Sequence, residues 1–162
     1  MEIVVRAVII GLGATLFLDV WAAFLKRAFG VSGLDYAMLG RWIGHMRTGI
    51  FVHKDIRAAQ AVGSERVIGW AAHYAIGVMF AAALLGACGD AWARQPMLIP
   101  ALATGILTVG APFFVMQPCM GMGIAASRAL KPGVARLRSL VSHLVFGLGL
   151  YLTSALVAQL TH

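Results

Sequence analysis

The chain has 162 residues, 60% of them hydrophobic and 12% charged, with a formal charge of +7. Soluble chains average roughly 45–50% apolar and about 25% charged residues, and a water-soluble fold of this length could not hide so much apolar surface, so the excess reads as lipid contact. The positive charges lie between apolar runs rather than on a basic face, which sets aside a nucleic-acid partner in favour of basic loops flanking membrane spans.

Residues 7–25 carry a single charge, Asp19, between Arg6 and the pair Lys26-Arg27. At about 1.5 Å per residue this run reaches about 28 Å, close to the hydrocarbon thickness of a bilayer. An acid inside the run and a basic pair after it argue against a cleaved signal peptide, so a retained first span is expected at about 5–25. In the long connection that follows, Ser32 and Asp35 resemble a capping box. Beyond them Tyr36, Leu39, Trp42, Ile43 and Met46 recur at three and four. That spacing predicts a short helix in the first loop, lying at the membrane interface with Tyr36 and Trp42 at headgroup level; a polar loop capping the bundle is the alternative.

A second span is expected at 67–89, followed by a short turn at 90–95 and a third span at 98–122. Pro112 should kink that third span, and Pro118 with Gly121 and Gly123 should end it. Lys131-Pro132-Gly133 reads as a turn, leaving a fourth span at 139–160. The expected fold is therefore all-α and integral to the membrane: one membrane domain, 1–162, of four transmembrane helices arranged as two similar hairpins, with the short interfacial helix in the first cytoplasmic loop. Lys26, Arg27, Arg41, Arg47, Lys54, Arg57 and Arg66 share one side with Arg128, Lys131, Arg136 and Arg138, against Arg6 and Arg94 on the other. The positive-inside rule then puts the basic loops in the cytoplasm and both termini in the periplasm. Cys88 and Cys119 form no CxxC pair and define no redox compartment.

The hairpins look alike: Gly13-Ala14-Thr15 parallels Gly110-Ala111-Pro112, and His73 with Gly77 parallels His143 with Gly147. Duplication about an axis along the membrane normal would produce this. Asp19 and His73 each lie roughly 9 Å, and His143 roughly 6 Å, from the cytoplasmic end of their spans. Met116 and Gln117 approach the same level. Small residues one turn from Asp19, His73 and His143 (Thr15, Gly69 and Gly77, Gly147) mark helix-facing stripes, so the polar groups are expected to point inward as one layer, where a buried charge must go.

Several stretches resemble a bacterial family of small four-helix inner-membrane proteins that carries only a domain-of-unknown-function label. They are Gly13-Ala14-Thr15 with Asp19-Val20-Trp21, Leu34-Asp35-Tyr36, Gly40-Arg41-Trp42, Gly44-His45-Met46, His73-Tyr74, Met116-Gln117-Pro118 with Met120-Gly121 and Gly123, and Phe146 to Tyr151. The resemblance covers nearly the whole chain. It implies an integral membrane protein, supplies no biochemical activity, and does not make Cys119 a fixed position.

Three functions fit the inward layer. Asp19, His73, His143, Gln117 and Met116 are candidates for a proton-linked or cation binding and transport site, since imidazole titrates nearest physiological pH and intramembrane acids with histidine form relays. A non-catalytic accessory or assembly subunit, with the layer as interhelical glue, is the alternative. The third is a haem or copper protein using His73, His143, Met116 and Met120, because imidazole and thioether suit those metals. No cofactor is assured, no residue is assigned as catalytic, and no GxSxG elbow or phosphate loop is present. The expected partners are the lipid bilayer and a homodimer or larger membrane complex.

Overall fold

The computed structural model describes residues 3–31 and 33–160, and within them the chain is helical with no strand. In chain order the helices are α1 (Ile3–Phe29), α2 (Tyr36–Met46), α3 (Glu65–Arg94), α4 (Leu98–Cys119) and α5 (Pro132–Leu160). Four of them, all but α2, are long and apolar enough to cross a membrane. Ser32, half of the expected capping box, lies outside the described residues. Asp35 is the N-cap of α2, its side chain accepting the Ala37 amide at 2.9 Å.

Helix ends differ from the expected spans for local reasons. α1 continues to Phe29, with Lys26 and Arg27 in its last turn, where cations suit the carbonyl end of a helix. The turn expected at 90–95 is instead helical to Arg94. Gly89 interrupts the backbone with φ 74 and ψ 178, a conformation that needs glycine, and the helix then resumes. Burial drives the resumption: Trp92 and Ala93 are 3% and 0% exposed, and Trp92 Nε1 donates to the Met97 carbonyl at 3.1 Å. Pro112 does not simply kink α4. Pro112–Met116 forms a π-turn, with the Gln117 amide donating back to the Pro112 carbonyl. α4 then stops at Cys119, short of 122, and Gly121 follows with φ 91. α5 begins at Pro132 rather than near 139, because proline suits a first helical position as well as a turn.

The chain forms two compact units. The first comprises Met1–Gly33, Tyr74–Thr108 and Val141–His162. Its core is built from small and medium side chains, among them Ala7, Ile10, Ala14, Ala81, Leu85 and Leu150. Backbones approach closely where side chains are absent. A Cβ on Gly11 would strike the Val78 backbone, and one on Gly77 would strike Thr15. Gly105 and Gly147 meet in the same way between α4 and α5. Such contacts hold membrane helices together by packing, since lipid supplies no hydrophobic drive between them. Arg6 Nη1 donates to the Ala93 carbonyl at 3.0 Å, satisfying the end of α3.

The second unit comprises Leu34–His73 and Val109–Leu140. Leu39, Ile56 and Met120 form its core, with Tyr36, Trp42 and Met116 packed against them. α2 crosses the start of α3 at Gly40 and Gly69, where a Cβ on either would collide with the facing backbone. Arg41 ties the loop after α2 in place. It binds both Glu65 oxygens, at 2.8 and 2.9 Å, and its Nη1 donates to the carbonyls of Ile56, Arg57 and Ala59 at 3.1–3.3 Å.

Candidate functional site

In the first unit, Asp19 sits on α1 and Tyr74 on α3, and the Tyr74 hydroxyl donates to Asp19 Oδ2 at 2.9 Å. Tyr74 thus holds the acid of α1. His143 on α5 lies beside Thr108 on α4, Nδ1 to Oγ1 at 2.9 Å, with the Phe80 ring 6.4 Å from the imidazole centroid to centroid. The same Thr108 hydroxyl is 2.8 Å from the Gly105 carbonyl. The hydroxyl can give its proton to the Gly105 carbonyl and accept from Nδ1–H, or give it to Nδ1 and leave the neutral ring protonated at Nε2. An imidazole held at one nitrogen by a hydroxyl is an arrangement that general bases and metal-bound imidazoles share.

In the second unit, His73 Nε2 lies 3.0 Å from the Tyr36 hydroxyl, and the two rings are 4.4 Å apart. Trp70 stands edge-on to His73 and tilted against Tyr36. Tyr36 is thus drawn into a three-ring cluster at the junction of α2 and α3. Gln117 is 5% exposed and donates through Nε2 to Ser139 Oγ at 3.3 Å, while its Oε1 is buried without a partner. A buried amide oxygen left unpaired costs about 1–3 kcal/mol. The π-turn just before it places this residue, and single π-turns inside α-helices recur at functional sites. Met120 is buried among Leu39 and Ile56, and Met116 packs on the same cluster, the gap-filling use of methionine.

Each candidate polar side chain is therefore tethered by a hydroxyl: Asp19 by Tyr74, His73 by Tyr36, His143 by Thr108 and Gln117 by Ser139. Sequence patterning marked none of these hydroxyls as site residues. Thr108 is placed by the close approach of Gly105 to Gly147, a contact that no sequence pattern records. A copper or haem site would draw on His73, His143, Met116 and Met120. Among the described residues, no three histidine, cysteine, aspartate or glutamate side chains gather in a metal-ligating group. His45 and His53, assigned no role from the sequence, form a further pair, Nδ1 to Nε2 at 2.7 Å.

Comparison with curated proteins and with solved structures returns no match. A family model described as a protein of unknown function, DUF2938, matches residues 8–157. The polar tethers fall within that stretch, and the chain belongs to this family of unknown function.

Proposed function

We propose that this is a multi-pass inner-membrane protein that binds and passes a proton, or a cation exchanged for one, at the hydroxyl-tethered polar groups of its spans. The observation that carries the reading is His143. Its Nδ1 is held by the Thr108 hydroxyl, within a stretch, 140–150, that carries no other ionisable side chain. Hydroxyls both donate and accept, so each tether can hand a proton on as well as hold its partner in place. Asp19 and the unpaired Gln117 oxygen add acceptors that a purely structural bundle would do better without. A helix that departs from α geometry beside such groups is also a feature of membrane ion sites.

Two similar hairpins suit this function. In α1, Thr15 donates to the Gly11 carbonyl at 2.8 Å where Gly77 approaches; in α4, Thr108 donates to Gly105 at 2.8 Å where Gly147 approaches, in a register other than the parallel of Gly13 with Gly110. Basic loops on the cytoplasmic side and periplasmic termini complete the topology.

The test is proton flux into proteoliposomes carrying an entrapped pH-sensitive dye. The wild-type protein should collapse an imposed pH gradient. His143→Gln and Asp19→Asn should fall to the rate of empty vesicles while remaining folded and incorporated. Wild-type flux no faster than that of empty vesicles, or unchanged flux in both variants, would overturn the proposal.

A further inference from the structure

The loop after α2 carries a device that does not depend on the transport reading. Residues 53–56 lie along the end of α4 as a strap: the His53 amide donates to the Cys119 carbonyl at 2.7 Å, and the Ile56 amide to the Met120 carbonyl at 3.1 Å. Gly121 backs onto the Lys54 carbonyl, where a Cβ would collide. On its other side the strap is tied to α2 by Arg41 and by the bond between His45 and His53.

The protons of that histidine pair can be placed. His45 Nε2 lies 3.0 Å from the Gln60 carbonyl, which only accepts, so His45 carries its proton on Nε2. In the neutral pair His45 Nδ1 is then an acceptor, and His53 Nε2–H donates to it across 2.7 Å. His53 Nδ1 is left as a bare lone pair, buried and without a partner. A single added proton, wherever it enters, ends with an N–H on His53 Nδ1. If His53 takes it, the proton sits there directly. If His45 takes it and donates through Nδ1, His53 must accept at Nε2 and hold its own proton on Nδ1. Either way a buried donor lacks an acceptor. A second proton removes the bond between the rings altogether.

We infer that the His45–His53 pair is an acid-released latch, closed when both rings are neutral, which holds the strap against the end of α4 beside Gln117. The charged and titratable groups on the elements around the pair are Arg41 and Arg47 by α2, Lys54, Asp55 and Arg57 on the strap, Glu65 and Arg66 at the start of α3, and the Cys119 thiol at the end of α4. Opening exposes the N–H on His53 Nδ1 to water, which supplies the acceptor that the closed pair lacks. Release would free the Cys119 and Met120 carbonyls and uncover the turn that bears Gln117.

Amide hydrogen exchange on the full-length protein in detergent micelles tests this, with each rate referred to the intrinsic rate at its pH. Protection of the His53 and Ile56 amides should fall by about tenfold or more from pH 8 to pH 5, as expected for loss of a buried hydrogen bond. In His53→Gln, whose amide still donates to His45 but does not titrate, protection should stay level. A level wild-type profile, or an equal fall in His53→Gln, would overturn the latch. Should that variant not fold, nitrogen-15 NMR of the wild-type histidines at pH 8 decides. Nε2–H on both rings supports the latch, and Nδ1–H on His53 refutes it.

Discussion

Gly147→Ala probes the link between helix packing and the His143 site. A Cβ there would lie 2.8 Å from the Ala101 carbonyl, 3.2 Å from Leu102 Cα and 3.3 Å from Gly105 Cα, all backbone atoms that cannot rotate away. Restoring ordinary contact requires α5 to retreat from α4 by about 0.6 Å, overpacking that costs about 1–3 kcal/mol. Alanine returns about 1 kcal/mol through its better helix propensity, so the net loss should be about 0–2 kcal/mol. Gly86→Ala is the reference, because nothing lies within 4 Å of its added carbon and only the gain of about 1 kcal/mol remains. The same 0.6 Å retreat would stretch the Thr108–His143 bond from 2.9 Å to about 3.5 Å, beyond a useful hydrogen bond. Unfolding by sodium dodecyl sulfate in mixed micelles, followed by circular dichroism, measures the first effect. The nitrogen-15 shifts of His143 measure the second, through loss of the hydrogen bond at Nδ1. If Gly147→Ala proves as stable as Gly86→Ala and keeps the Nδ1 hydrogen bond of His143, the close packing is not what positions the imidazole.

Tyr74→Phe should cost about 0.6 kcal/mol, the average for an interhelical hydrogen bond in a membrane, and a double-mutant cycle with Asp19→Asn should show that the two losses do not add. Gln117→Leu should leave stability unchanged or raised, because an unpaired buried oxygen is removed, while proton flux falls; a lower unfolding midpoint would mean that the amide is structural. Arg41→Lys should loosen residues 56–59 toward proteolysis as much as Arg41→Ala, since an ammonium cannot reproduce the fork that binds Glu65 and three carbonyls. The hydrogen bond to Glu65 raises the Arg41 pKa, against the opposing pull of burial and with help from the Glu65 and Asp35 charges. A cation whose folded pKa is raised contributes stability that is fully present below its unfolded pKa and fades only as pH climbs through the folded value. The guanidinium itself therefore stays charged between about pH 5 and pH 8, and strap loosening in that window should persist in Arg41→Lys.

The four apolar helices and α2 were legible because length, hydropathy and spacing each carry the relevant physics locally. The ends were less so. Lys131-Pro132-Gly133 satisfies both a turn and a helix start, and only the tertiary setting chose the second. Asp90 to Arg94 looked like a polar turn because the burial of Trp92 is a tertiary fact. Within the candidate site, the acid, the imidazoles and the amide stood out, since such groups are costly in lipid. Their hydroxyl partners did not, because serine, threonine and tyrosine are unremarkable in any helix. The bond between His45 and His53 was illegible for another reason: it depends on how an irregular loop folds back onto α2, which no periodicity records.

The π-turn at Pro112–Met116 sets an angular phase. One additional residue in a turn advances every later side chain by roughly 100° around the helix axis. Gln117 thus points toward Ser139 through an offset of the backbone rather than through its own identity. Excising a single residue between 112 and 116 would restore the regular winding and swing the amide about a quarter-turn off its bearing, with every polar residue of the motif still in the chain.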